Sequence, residues 1–174
     1  IENIDIGGPT LVRASAKNYR DITVLTSPNQ YKEFVADFEK NKGSTSLKFR
    51  KKLSQEAFNL TAYYDSVISD YLSIDNNDYF PQRKTIHGNL VELLRYGENP
   101  HQTSAIYSKS EKLSISQLSG KKLSYNNYND IFAALNISKT LPKNTGTVIV
   151  KHANPCGVSA NKNKMESYME ALSC

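Results

Sequence analysis

Lys151 and His152 stand side by side, followed by Ala153, Asn154, Pro155, Cys156 and Gly157. An imidazole can take or give a proton near neutrality, and an ammonium beside it can bind an oxygen on which charge develops. The pair therefore suits chemistry on an anionic substrate. The plain alternative is a solvent-facing lysine beside a loop histidine bonded to backbone. Cys156 suggests two further chemistries. One is a Cys–His nucleophile pair, for which a four-residue separation across a proline turn is not diagnostic. The other is a zinc deaminase, which carries His-x-Glu followed by Pro-Cys-x-x-Cys. Here Asn154 replaces the glutamate and no second cysteine follows Cys156 at that spacing, so no metal is expected.

A second dense polar stretch runs through Arg95, Tyr96, Glu98, Asn99, His101 and Gln102. Either it is a turn whose polar groups satisfy one another or it is a binding loop, and the sequence weighs the two evenly. Near the start, Thr10, Arg13 and Lys17 share one face of a helix opened by Gly7, Gly8 and Pro9. Glycines before a helix leave N–H groups open to an anion. A solvated polar face on a helix packed by Leu11, Val12 and Ala16 is the simpler reading. Lys48, Arg50, Lys51 and Lys52 form a basic run, which on a helix is more often a solvated face than a nucleic-acid patch.

The elements that must position these groups follow from the pattern. Residues 147–150 are a β-branched run that reads as a buried strand, and the Asn-Pro and Gly of 154–157 exclude a regular helix or strand there. That sets Lys151 and His152 at the carboxyl end of a buried strand, where open α/β sheets place ligands. Residues 90–96 and 105–107 read as strands flanking the polar loop. Asn127 is expected to cap a helix, with Asp130 at its third position. A last helix carries Met165, Tyr168, Met169 and Leu172, its methionines as core filler. Earlier in the chain, residues 22–25 read as a short strand, and Ser27 and Pro28 start a helix with the stripe Tyr31, Phe34, Val35 and Phe38. Residues 47–72 form a long amphipathic helix or a helix pair, with Leu53, Ala57, Leu60, Tyr64, Val67 and Tyr71 in its stripe. Strand–helix alternation predicts α/β architecture. Residues 73–84, polar and carrying a proline, mark a domain boundary, giving domains 1–84 and 85–174.

Composition narrows the classes. The net charge of +5 and pI near 9.1 fit nucleotide or phosphate ligands without requiring them. No apolar run approaches membrane-spanning length and no secretory signal is visible. The two cysteines give neither a disulfide framework nor metal-ligand spacing, so a cytoplasmic setting is expected. The competing class is a basic α/β nucleic-acid-binding or structural module without enzymatic activity.

Four motifs carry a resemblance. RYGENPHQ (95–102), LSYNN (123–127) and VKHANPCG (150–157) resemble, in order and spacing, the transformylase half of the AICAR transformylase/IMP cyclohydrolase family. ENIDIGGPTLVRASAKN (2–18) resembles the end of its cyclohydrolase half. The resemblance implies the final two steps of purine biosynthesis. A formyl group moves from the co-substrate 10-formyltetrahydrofolate to the 5-amino group of AICAR, and formyl-AICAR then closes by dehydration to IMP. It implies the C-terminal part of a doubly wound methylglyoxal-synthase-like domain, connecting helices, and the start of a cytidine-deaminase-like domain without catalytic zinc. By motif match, His152 takes the amine proton and Lys151 orients it and the formyl oxygen. Arg95 and Tyr96 bind the AICAR nucleotide, with Asn127 in support. Lys17 is a proton donor or acceptor in cyclisation, with Asp5 in the same site. The resemblance further implies a homodimer with shared transformylase sites, and neither a nucleic-acid nor a membrane partner. It also implies that the chain is a central fragment, inactive alone, lacking the start of the first domain and most of the second.

Overall fold

Residues 47–75 contain neither proline nor glycine, and Ser46 Oγ caps the run by accepting the Phe49 N–H at 3.2 Å. In the computed structural model they form one continuous helix, α3 (Leu47–Asp75), of 29 residues rather than a pair. At a rise of ~1.5 Å per residue it is about 43 Å long. The structure describes residues 1–110, 113 and 115–174, and the chain divides into two compact units, Ile1–His87 and Gly88–Cys174.

In the first unit α3 follows α1 (Gly7–Lys17), a 3-10 turn (Pro28–Gln30) and α2 (Tyr31–Lys40). The core lies where α1 meets the first half of α3: Ala16, Leu53 and Ala57 are fully buried, and Phe49 and Thr61 nearly so. Four of these lie on α3 four residues apart and so share a face. Ser54 Oγ donates to the Ala16 carbonyl at 2.7 Å, so this buried hydroxyl is paired. The expected stripe is realised only at Leu53 and Ala57; Leu60, Val67 and Tyr71 are exposed, and the buried line passes through Thr61 and Ser66. The covering partners decide this. Arg13 donates to Thr61 Oγ1 at 3.4 Å and lies 5.3 Å over the Phe58 ring, while His87 Nδ1 sits 3.1 Å from Ser66 Oγ. Leu11, expected to pack α1, is exposed, and no residue of α2 is buried.

Residues 22–25 are not a strand. An extended segment becomes a strand only through a ladder partner, and the described residues of this unit supply none. The neighbouring carbonyls go to a side chain instead: Arg50 donates to Tyr19 O at 2.9 Å, to Arg20 O at 2.7 Å and to Thr45 O. The described residues of this unit are therefore helical, and the chain's α/β character comes from the second unit. Half of the basic run is also engaged, because Lys52 pairs with Glu33 at 2.6 Å.

Among its described residues the second unit holds two antiparallel pairs, β1 (Asn89–Leu93) with β2 (Ala105–Ser108), and β3 (Thr147–Lys151) with β4 (Asn154–Ser159). Two helices, α4 (Tyr125–Ser138) and α5 (Lys164–Leu172), pack on the second pair. β4 corrects the expectation that 154–157 excludes regular structure. The sheet is two-stranded, so β4 is an edge, where proline is tolerated. The register also slips there: Ile149 pairs with Gly157 and Val150 with Pro155, leaving Cys156 as the extra residue of a bulge. β3 is accordingly a half-buried strand of a hairpin, not a buried strand of an open sheet.

Gly157 determines how α5 lies. A Cβ at this position would fall 1.7 Å from the Ala171 carbonyl oxygen, so only glycine lets the helix come this close. α5 consequently buries its small side chains, Ser167 and Ala171. Met165 and Met169, expected as core, are 71% and 56% exposed. Ser159 Oγ donates to Glu170 Oε2 at 2.5 Å and Asn161 Nδ2 to Oε1 at 3.0 Å. Those bonds, the Ser159 bond first, hold the Glu170 carboxyl below the usual carboxylate range. Among the described residues no helix is long and apolar enough to cross a membrane.

Candidate functional site

The N-terminus of α4 is the local organiser. Ser124 Oγ accepts the Asn127 N–H at 3.4 Å, and Asn127 Oδ1 accepts the Ser124 N–H at 3.0 Å. This is a reciprocal capping box with Asn in place of Glu or Gln. Ser124 is therefore the cap and Asn127 the third helical residue, three positions later than the expected start would put it. Ser-x-x-Asn before the helix is the signal that marks it.

The polar loop after β1 docks on this cap. Arg95 N–H donates to Leu123 O and Tyr125 N–H to Tyr96 O, each at 3.2 Å, so two short stretches of backbone lie side by side. Asn126 Nδ2 adds a bond to Glu98 O at 3.1 Å. Farther along, the loop closes on itself: Gly97 N–H reaches Gln102 O at 2.8 Å, and Gln102 Oε1 accepts the Asn99 N–H at 2.9 Å. The self-satisfied turn accounts for part of the stretch. Gly97, Asn99 and Gln102 satisfy one another, while Arg95 and Tyr96 lead out of the turn. The Arg95 guanidinium stacks 4.8 Å over the Tyr96 ring and donates to its Oη at 3.2 Å. Hydrogen bonding by Ser124, then by Arg95, lowers the Tyr96 pKa below the ordinary phenol range. An exposed guanidinium braced on a phenol suits a phosphate or another oxyanion.

Lys151 and His152 close the β3–β4 hairpin. Lys151 is the last residue of β3 and pairs with Asn154, leaving His152 and Ala153 as a two-residue turn. Both have positive φ, 53° and 59°, as a type I′ turn requires. Neither is Gly or Asn, and the left-handed conformation costs such residues roughly 1–2 kcal/mol each. Two bonds oppose that cost: Ala153 N–H donates to Asp130 Oδ1 at 2.7 Å, and Asn154 Nδ2 donates to His152 O at 2.8 Å. Asp130 was expected only as a first-turn partner of the helix dipole. It lies in the second turn, and its contact with Ala153 is tertiary, so spacing alone does not reveal it. Asn127 and Asp130 are three residues apart, about 4.5 Å along α4. The first two turns of this helix therefore gather the Arg95–Tyr96 corner, Asn127 and the turn bearing Lys151 and His152.

Asp5 and Lys17 sit in the first unit, at the two ends of α1. Asp5 Oδ1 accepts the Gly8 N–H at 3.0 Å, and the Asp5 N–H donates to Tyr64 Oη at 2.9 Å. Asp5 borders a cleft of about 290 Å³ with Val12, Leu60, Thr61 and Tyr64. Lys17 lies in the last turn of α1, exposed, nine residues beyond Gly8 and so about 14 Å along the axis. The two do not meet; one ligand engaging both must run the length of the helix. Among the described residues no three His, Cys, Asp or Glu side chains group as a metal site would need.

Comparison with known proteins identifies relatives of the chain. The sequence model of the AICARFT/IMPCHase bienzyme family matches residues 15–174. The bifunctional purine biosynthesis protein PurH of Brucella anthropi is 46% identical over 180 aligned positions, covering 100% of this chain and 34% of that protein. The PurH proteins of Brucella ovis and Brucella canis are 45% identical over the same shares. The chain spans about a third of the length of these relatives.

Proposed function

Because the chain belongs to the AICARFT/IMPCHase bienzyme family, we propose that its parent protein carries out the two last steps of IMP synthesis. In the first, the 5-amino nitrogen of AICAR attacks the formyl carbon of 10-formyltetrahydrofolate. His152 takes the amine proton as the new C–N bond forms. Lys151 faces the formyl oxygen as charge develops on it, and when the tetrahedral adduct collapses the tetrahydrofolate nitrogen leaves with the proton that His152 took from the amine. Arg95, stacked on Tyr96, binds the nucleotide, and Asn127 supports it through the α4 cap. In the second step the carboxamide nitrogen attacks the formyl carbon and water is lost. Lys17 moves the proton, with Asp5 at the other end of α1.

One observation carries this reading: the loop with Arg95 and Tyr96 and the turn with Lys151 and His152 both attach to the first two turns of α4, through Tyr125 N–H and Asp130. Nucleotide-binding and proton-transfer groups are thereby held on one element. We read residues 1–84 as the C-terminal part of a methylglyoxal-synthase-like cyclohydrolase domain with connecting helices. Residues 85–174 are then the start of a cytidine-deaminase-like transformylase domain. The parent is a cytoplasmic homodimer that uses the reduced folate as co-substrate and no catalytic metal.

The test is a steady-state assay of the purified parent with AICAR and 10-formyltetrahydrofolate. Arg95→Ala removes a charged hydrogen-bonding group worth about 1.5–3 kcal/mol, so the AICAR KM rises by roughly ten- to a hundredfold while kcat changes far less. An unchanged KM in that variant contradicts the assignment.

A further inference from the structure

We propose that Asp130 is a positioning residue for formyl transfer. By accepting the Ala153 N–H, its carboxylate holds the His152–Ala153 turn in the left-handed form and so fixes where the imidazole stands. The inference rests on the reading of His152 as the base.

Four observations carry it. The turn is built from residues that do not favour its conformation, with φ of 53° at His152 and 59° at Ala153. A His-Ala turn left to itself has other conformations open to it, and any of them moves the imidazole. The Asn154 bond to His152 O lies within the hairpin and cannot tie it to anything else. The Asp130 bond at 2.7 Å does tie it, joining the turn to α4 across 23 residues of sequence. Asp130 is also the sixth residue of α4, past the first turn where a carboxylate gains from the helix dipole. A carboxylate accepting a backbone N–H is a strong, short contact, suited to holding a strained turn. Through α4 the same contact fixes the turn relative to the corner where Arg95 N–H and Tyr125 N–H join loop to helix. The base and the nucleotide-binding corner then share one reference.

The experiment uses the full-length parent with Asp130→Ala and Asp130→Asn, and reads both formyl-transfer kinetics and hydrogen exchange at the Ala153 amide. Asp130→Ala is expected to lower kcat by about ten- to a hundredfold, the usual cost of misplacing a catalytic group by about an ångström, while the AICAR KM stays within about twofold. Ala153 exchange should speed up by a similar factor. Asp130→Asn keeps an oxygen that accepts the same N–H and should restore kcat to within a few-fold. Cyclisation by the same preparations serves as the folding control. Unchanged kcat in Asp130→Ala, or an Asn variant no better than the Ala variant, overturns the proposal. So does faster Ala153 exchange without loss of kcat, which would leave Asp130 a purely structural tie. A fully active His152→Ala parent instead overturns the assignment of the base, and the proposal falls with it even if Ala153 exchange still responds to Asp130→Ala.

Discussion

His152→Ala in the full-length parent lowers kcat for formyl transfer by roughly 10²–10⁴-fold, the range a positioned general base contributes. The amine of AICAR is a weak nucleophile until its proton has somewhere to go, and in the proposed mechanism no other group of this chain receives it. In the proposed mechanism the loss falls on kcat rather than on the nucleotide KM, because there the nucleotide is assigned to Arg95 and Tyr96 and not to the imidazole. In the same proposed mechanism Lys151 faces the formyl oxygen as charge develops on it, so Lys151→Ala is also expected to act on kcat. Pre-steady-state formyl transfer at saturating AICAR checks both. A His152→Ala parent within threefold of the wild-type rate contradicts the assignment.

Gly157→Ala carries the largest expected cost to stability. The new methyl carbon would lie 1.7 Å from the Ala171 carbonyl oxygen and 2.7 Å from its carbon, both backbone atoms with no rotamer to escape through. Either α5 lifts off the hairpin or β4 bends, and Ser167 and Ala171 lose their burial in both cases. A clash of this kind costs about 3 kcal/mol or more. Gly7 is the control, since a Cβ there meets nothing within 4 Å and the residue is helical. Gly7→Ala should be neutral or slightly stabilising. Urea unfolding of the two variants decides the matter, and equal midpoints for Gly157→Ala and the unsubstituted chain would contradict the packing described here.

The contrast between these two glycines shows what the chain reveals before folding. Gly7 and Pro9 announce a helix start because their effects are local. Gly157 beside Pro155 looks like a break in regular structure, since its partner, the backbone of Ala171, lies in another element. The same division runs through the molecule. Ser27, Ser46 and the long proline-free run after residue 46 define helices through their own neighbours. Residues 22–25 have strand composition but find no ladder partner among the described residues of their unit, and Arg50 takes the adjoining carbonyls. Met165 and Met169 have core-like spacing, yet the close approach that Gly157 permits turns the small face of α5 inward. At the candidate site, the motifs around Arg95, Asn127 and His152 are visible as strings of polar residues. Their meeting on α4 is not, because it depends on Asp130 reaching Ala153, and a His-Ala pair carries none of the Asn-Gly signal that marks a type I′ turn.

The most direct measurement is a crossed assay of the full-length parent, with formyl transfer and cyclisation followed separately in Lys17→Ala and in His152→Ala. Two sites in two units predict that Lys17→Ala loses cyclisation and keeps transfer, while His152→Ala loses transfer and keeps cyclisation. Loss of both activities in either variant, or retention of both in either, would contradict it.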